Sequence, residues 1–356
     1  MTTKKSKTEV SFCLPDGLAG RLLSWYAKVK KPLPWRQSPT AYEVWISEIM
    51  LQQTRIEAAI PYYKRFVDAL PDVRALASVD DESLMKLWEG LGYYSRARNL
   101  KKAAVKVMTE FGGELPRTAR ELGALEGIGP YTAGAIASIA FGEPSAAVDG
   151  NVLRVIMRLC ACEADVMKQS TRVAVTVALE AIYPIGKDAG NFTQALMELG
   201  ENVCIPNGAP KCAECPLATL CLAQKEGKQE FLPVKTPPKP RRIEDRTVLL
   251  LKCGNRYALA RRAQKGLLAG LWEFPNTLGT LREAAAMEAA RDLGAAPLSA
   301  TPIGDAIHIF SHVEWHMSGY LVECDRLPSQ LAHATPTEIR EEYAIPKAFH
   351  AYLTKI

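Results

Sequence analysis

Histidine is missing from the first 300 residues of this 356-residue chain; His308, His312, His316, His333 and His350 all lie beyond them. An imidazole-based site upstream is therefore excluded, and chemistry there falls to carboxylates, Lys, Tyr, Ser or Cys. Long apolar runs are missing too. The longest uncharged stretch, residues 127–142, has 16 residues and contains Pro130, short of the roughly 20 apolar residues of a membrane-spanning helix. The opening MTTKKSKTEV has no apolar core after its lysines, so a secretory signal is not expected and the cytoplasm is. A strong charge bias is also absent. The 44 basic and 39 acidic residues give +5, compatible with a nucleic-acid partner without requiring one. What is present is apolar mass: 48% hydrophobic residues exclude a disordered chain.

At roughly 150 residues per domain, the length predicts two or three domains. Residues 10–230 read as mainly helical, with apolar residues spaced by three and four, as in Leu18, Leu22, Leu23 and Tyr26. FLPVKTPPKPRRIEDR then carries four prolines and five basic residues. Residues 231–245 are read as a semi-rigid basic linker, which could also touch phosphate or a partner. Residues 246–356 read as α+β: strand patterns at 246–253, 256–262 and 307–324, and a helix-like stretch at 280–294.

Nine cysteines in a chain without an export signal should be thiols or metal ligands rather than disulfides. Cys204, Cys212, Cys215 and Cys221 form C-x7-C-x2-C-x5-C within 18 residues. Zinc ribbons use two C-x2-C knuckles, and only one is present. One compact loop with four thiolates suits a 4Fe–4S cluster better, with structural zinc and unliganded thiols as the alternatives. Cys13, Cys160, Cys162, Cys253 and Cys324 read as small apolar residues.

Three further segments can carry chemistry. Gly127-Ile128-Gly129-Pro130 allows a tight turn ahead of a helix started by proline, and backbone N–H groups there can meet a phosphate. An ordinary helix–turn–helix corner explains it equally well. Asp149-Gly150-Asn151 precedes an apolar helix; Asp149 either caps that helix or holds a carboxylate at a reaction centre. Glu48 lies in AYEVWISEIMLQQ with Val44, Trp45, Leu51 and Gln52 at helical spacing. Burial among them would raise its pKa and keep it protonated near neutrality, as a general acid requires. A surface glutamate on an amphipathic helix is the alternative, and Glu43 reads as one.

PWRQSPTAYEVWISEIMLQQT (34–54), the glycine hairpin, VDGN and the four-cysteine loop occur in one order. Together they resemble the mismatch-specific adenine DNA glycosylases (the MutY family) of the helix–hairpin–helix glycosylase superfamily. LLAGLWEFP (267–275) and FSHVEW (310–315) extend the resemblance into the second domain. It implies a multidomain protein: a helix–hairpin–helix domain with a 4Fe–4S loop held by Cys204, Cys212, Cys215 and Cys221, then a Nudix-like α+β domain. It implies an enzyme that removes adenine opposite 8-oxoguanine or guanine in double-stranded DNA, after flipping the base. A monomer is expected, and the opening residues, without a targeting extension, lead to the expectation of a bacterial, nucleoid-associated protein. Glu48 is then the general acid. Asp149 stabilises the oxocarbenium-like sugar through a transient covalent intermediate, in the manner of retaining glycosidases. Tyr131 and Asn151 support that carboxylate and the water, and Arg36 lines the base pocket. Gln53 and Tyr93 wedge into the duplex, and the hairpin of Gly127 and Gly129 meets the backbone. Tyr131 stands where related glycosylase/lyases carry a Schiff-base lysine, so a monofunctional enzyme is expected. The cysteine spacing departs from many members, whose first gap is six residues rather than seven.

In the second domain the resemblance places Phe310, Ser311 and His312 at a hairpin near the lesion. From the residues alone, the segment reads as one half-buried strand with exposed histidines about 13 Å apart, too far to share a metal. The Nudix pattern has two glutamates where this chain has Arg291-Asp292-Leu293-Gly294, so pyrophosphatase chemistry, which needs a carboxylate cluster for Mg²⁺, is not expected. The rivals are a lyase acting on damaged pyrimidines, which Tyr131 opposes, and a non-catalytic damage binder, which Glu48 and Asp149 together oppose.

Overall fold

A computed structural model describes residues 11–37 and 39–356. The first-ten-residue reading, the domain start at Val10 and Ser38 of the PWR segment lie outside the described residues. The chain divides into two compact units, residues 1–78 with 99–237, and residues 79–98 with 238–356.

The first unit is helical. Its elements are α1 (Leu18–Val29), α2 (Ala41–Leu51), α3 (Ile56–Ala69) and α4 (Val73–Ser78). After α5 (Asp81–Leu87) and α6 (Ser95–Glu110) come α7 (Ala119–Leu122), α8 (Pro130–Phe141), α9 (Gly150–Leu159), α10 (Gln169–Glu180), α11 (Lys187–Asn202) and α12 (Leu222–Lys225). Apolar faces of α1, α9, α10 and α11 meet in one core, with Leu22, Val152, Ile156, Val175, Phe192 and Leu196 fully or almost fully buried. Pro130 starts α8, and Thr40 caps α2 in a capping box closed by Glu43. Glu43, expected as a plain surface residue, thus fixes where the Glu48 helix begins.

Small residues let α8 lie deep. A Cβ on Gly134 would stand 2.4 Å from the Ala146 carbonyl oxygen, so only glycine lets α8 approach the connecting segment that leads to Asp149.

The second unit is a mixed sheet of seven strands among the described residues: β1 (Arg242–Cys253), β2 (Arg256–Arg261), β3 (Trp272–Glu273), β4 (Asn276–Leu278), β5 (Ala296–Ile309), β6 (Val313–Arg326) and β7 (Ala332–Ala334). The order is β3-β2-β1-β6-β5, with β4 pairing β1 and β7 pairing β2. β1 and β6 run parallel, and β5 and β6 form an antiparallel hairpin. Alternation along β1 sends Val248 and Leu250 to one face, with Trp315, Phe349 and Tyr352, and Leu249 and Leu251 to the other. There Ala286 and Ala290 of α13 (Glu283–Asp292) cover the sheet.

Three expectations change. The strand pattern read across 307–324 is two strands broken at Phe310-Ser311-His312, because β5 starts far upstream and folds back there. Residues 242–245, read as linker, already belong to β1, pairing with Val313–His316. Residues 79–98, read as part of the helical domain, group with the second unit. Lys86 donates to the carbonyls of Arg340 and Tyr343, Glu89 accepts from the Ile345 N–H, and Arg98 donates to the Ala269 carbonyl. Those polar contacts leave no periodicity to read in the sequence.

Candidate active site

Glu48 sits on α2 with only 7% of its surface exposed. The α2 capping box sets the register that turns it inward with Val44 and Trp45. Burial pushes its carboxyl up to about 7. Asp149 adds to the rise, while Tyr131 and Arg36 pull against it. The Tyr131 hydroxyl, one residue past the start of α8, donates to Glu48 Oε2 at 2.8 Å. Burial and the two nearby carboxyls push that phenol well above its ordinary pKa, so it stays a neutral donor. Oε1 of Glu48 is left to carry a proton.

Asp149 is the N-cap of α9. Its Oδ1 accepts from the Val152 N–H at 2.7 Å, and its Oδ2 accepts from Asn151 Nδ2 at 3.0 Å. Capping does not take Asp149 away from the cavity: the cap bonds fix a carboxyl that lines its wall. Burial raises its pKa, against the opposing pull of those hydrogen bonds. Asn151 is held in turn. Its Oδ1 accepts from Arg154 Nη2 at 2.8 Å, and a Cβ on Gly200 would stand 2.6 Å from the Asn151 Cβ.

Arg36, Glu48, Tyr131, Asp149 and Asn151 line one cavity of about 180 Å³, with Trp35, Gln194, Met197 and Glu198 among its other walls. Two carboxyls, one held protonated near neutrality and one hydrogen-bonded from the backbone, can divide acid and nucleophile roles between them. Among the described residues no lysine lines this cavity.

Sequence reasoning missed Glu198. It is 3% exposed and pairs with Arg36 at 2.8 Å, fixing that guanidinium at the cavity wall. Its signal was a lone carboxylate inside the apolar run of α11. Arg154 was missed as well. It reaches from Asn151 to the carbonyls of Gly200 and Cys204, each at 2.7 Å, and its clue was its place three residues after Asn151.

Gln53, Gly127 and Gly129 lie outside this cavity. Gln53 is exposed just past α2 at φ 61, a left-handed conformation uncommon for a residue with a side chain. Gly127 takes φ 77, and a Cβ there would meet Asn99 Cβ at 2.6 Å; Gly129 caps α8 and faces open space. In the second unit Tyr93 is 50% exposed at φ 46, while its neighbour Tyr94 is buried. The Tyr93 hydroxyl and Ser311 Oγ stand 2.8 Å apart. Ser311 and His312 are exposed at the β5–β6 turn, whereas Phe310 packs edge-on against Trp315, ring centres 4.9 Å apart.

Cys204, Cys212, Cys215 and Cys221 converge: Cys215 senses the charge of each of the other three. Arg158, buried on α9, donates from Nη1 to Cys204 Sγ at 3.3 Å, and its carbonyl accepts from Cys221 at 3.5 Å. Four converging thiols beside one buried cation fit an anionic iron–sulfur centre. Among the described residues no group of His, Cys, Asp and Glu is close enough to hold a single metal ion. None of the described helices is long and apolar enough to cross a membrane.

Comparison with known proteins adds the following. Residues 46–179 match the HhH-GPD superfamily of base excision DNA repair proteins, and residues 246–355 match the NUDIX domain. The chain is 38% identical to the adenine DNA glycosylase of Homo sapiens over 83% of its own length and 65% of that protein's. It is 38% identical to the Mus musculus enzyme over 87% and 71%. Against the adenine DNA glycosylase of Buchnera aphidicola (Schizaphis graminum) the identity is 36%, over 72% and 73%. The chain thus spans about two thirds of the length of the human and mouse relatives. Among solved structures, a thermostable thymine-DNA glycosylase superposes with TM-score 0.52 at 27% identity, covering 58% of this chain and 95% of its own. Endonuclease III in a non-covalent DNA complex gives 0.50 at 26%, covering 59% and 94%.

Proposed function

The chain belongs to the adenine DNA glycosylases, and from that premise we propose that it hydrolyses the N-glycosidic bond of adenine opposite 8-oxoguanine or guanine in duplex DNA, without a lyase step. The observation that carries the proposal is the Glu48–Tyr131–Asp149 arrangement: an acid raised to about 7, a neutral phenol holding one of its oxygens, and a second carboxyl in the same cavity.

With the adenine flipped into the cavity, Glu48 Oε1 gives its proton to a ring nitrogen. The C1′–N bond breaks and its electron pair passes into the departing base. Asp149 faces the positive charge growing on the sugar, and a carboxylate oxygen bonds C1′ to form a transient ester. Water then attacks C1′ and displaces Asp149. The Glu48 carboxylate takes the proton, regenerating the starting acid. Asn151 keeps Asp149 aimed throughout, and Arg36, anchored on Glu198, walls the base. Tyr131 has no amine, so no Schiff base forms and the abasic strand stays intact.

Tyr93, Ser311 and His312 are assigned to the strand opposite the adenine. The hydroxyls and imidazole offer donors and acceptors to a base edge, and the left-handed strain at Gln53 and Tyr93 is the kind kept at working positions. Cys204, Cys212, Cys215 and Cys221 would hold a 4Fe–4S cluster, which when bound cross-links the loop that Arg154 ties to Asn151. Absorbance near 400 nm distinguishes iron–sulfur from zinc.

The test is a single-turnover assay on duplexes with adenine opposite 8-oxoguanine, guanine or thymine, each developed with and without alkali. Adenine release from the first two only, with strand breaks appearing only after alkali, is expected. Breaks without alkali would overturn the monofunctional assignment, and no release from any duplex would overturn the activity.

A further inference from the structure

The first part of the supposed linker is fastened to the helical unit. Arg158 Nε donates to the Leu232 carbonyl at 2.8 Å, and the Val166 N–H to the Val234 carbonyl at 3.1 Å. Thr236 donates to Asp165 through both its N–H and its hydroxyl. Residues 232–236 therefore form a strap pinned at every second residue.

Lys235 lies between two of those pins. It lines a cavity of about 420 Å³ with Asp149, Asn151, Arg154 and Arg172. Arg172, on α10, also lines the adjoining cavity beside Pro130 and Tyr131 at the glycine hairpin. Among the described residues neither Lys235 nor Arg172 has an ion pair or a side-chain hydrogen bond, whereas Asp149 and Arg154 spend theirs on Val152, Asn151, Gly200 and Cys204. Lys235 is exposed and Arg172 half-buried. Two cations without an ion-pair partner thus line a cavity that shares Asp149 and Asn151 with the Glu48 cavity. A nucleotide whose C1′ reaches Asp149 carries its own phosphates only a few bonds away, within reach of a cavity that Asp149 itself lines.

We propose that Lys235 and Arg172 bind the DNA phosphate adjoining the flipped nucleotide, making the strap part of the DNA interface rather than a tether. The proposal rests on the glycosylase reading above. It also gives the strap's pins a purpose: they hold a flexible lysine stem over one spot, lowering the entropy lost when a phosphate is bound.

The test measures duplex affinity against salt for the full chain. Lys235→Ala is expected to weaken binding roughly tenfold at ~0.1 M salt. It should also reduce the slope of log K against log salt by about 0.9, one phosphate contact. Arg172→Ala should act in the same direction, and Lys235→Arg should restore both quantities. Lys239→Ala removes the same charge four residues on and should leave affinity within about twofold. A Lys235→Ala protein with wild-type affinity and slope, or a Lys239→Ala protein that loses as much, overturns the proposal. A wild-type protein that neither binds nor excises fails the glycosylase reading itself, and with it this one; wild-type activity with an unaffected Lys235→Ala fails the strap alone.

Discussion

Tyr131→Phe removes one oxygen atom, and the structure sets what should follow. That oxygen donates to Glu48 Oε2 at 2.8 Å. A hydrogen bond from a neutral phenol favours the carboxylate over the carboxylic acid, so its loss raises the Glu48 pKa. Hydrogen bonds to charged groups are worth about 1.5–3 kcal/mol, and one pKa unit is about 1.4 kcal/mol. The carboxyl, near 7 in the wild type, should therefore move up by about 1–2 units. Since the protonated form is the acid, the alkaline limb of the excision profile should move the same way. Single-turnover rates on adenine opposite 8-oxoguanine, taken from pH 5.5 to 9, give the midpoint directly. At pH 8 the wild type should retain roughly a tenth of its plateau rate and the variant about half or more of its own. The plateau can fall, because Tyr131 also shapes the cavity; the midpoint is the readout. An unchanged or lowered midpoint would refute the role given to the Tyr131–Glu48 bond.

Three other outcomes follow from the same geometry. The Glu48 carboxyl is raised from 4.5 to about 7 on folding, so the stability it contributes is complete below pH ~4.5 and lost as pH rises through 7. Glu48→Gln should therefore gain roughly 3 kcal/mol over the wild type at pH 8 and almost nothing at pH 4, as urea unfolding would measure; equal stability at both pH values contradicts it. Arg154→Gln should cost about 3–5 kcal/mol, because the Gly200 and Cys204 carbonyls and Asn151 Oδ1 lose a buried donor together; a melting temperature within a degree of wild type would be inconsistent. Gly127→Ala forces φ 77 on a side chain and sets its Cβ 2.6 Å from Asn99, which should cost about 1–3 kcal/mol and weaken duplex binding; full retention of both removes the hairpin from the DNA contact.

How much of this was legible beforehand differs by element. Glu48 could be weighed because its helical neighbours at i−4, i−3, i+3 and i+4 are in the sequence, and burial follows from them. The two-family pattern of helices then strands was visible in periodicity and in the prolines between. The pairing of Glu198 with Arg36 and of Arg154 with Cys204 was not visible, since those partners lie 162 and 50 residues away and no local spacing encodes them; the local clue to Arg154 was Asn151, three residues before it. The 310–312 turn was hidden from the residue pattern, because strand-like alternation continues through it without Gly or Pro; the family resemblance put a hairpin there, and β5 and β6 meet at it. The grouping of residues 79–98 with the second unit was hidden for a related reason: Lys86, Glu89 and Arg98 bind backbone groups, which every residue offers alike. The strap at 232–236 shows the same limit, because proline-rich composition describes a free chain and not the three residues to which it is pinned.

The account stands or falls on Glu48 as the acid. The measurement that reaches it most directly is the single-turnover rate of adenine release opposite 8-oxoguanine by wild type and Glu48→Gln, at pH 6 with enzyme in excess and duplex binding verified for both. The account predicts duplex binding by both proteins and adenine release by the wild type alone, since Gln keeps the shape of the side chain and has no acidic proton to give. Release by Glu48→Gln at a rate near the wild type's would contradict it.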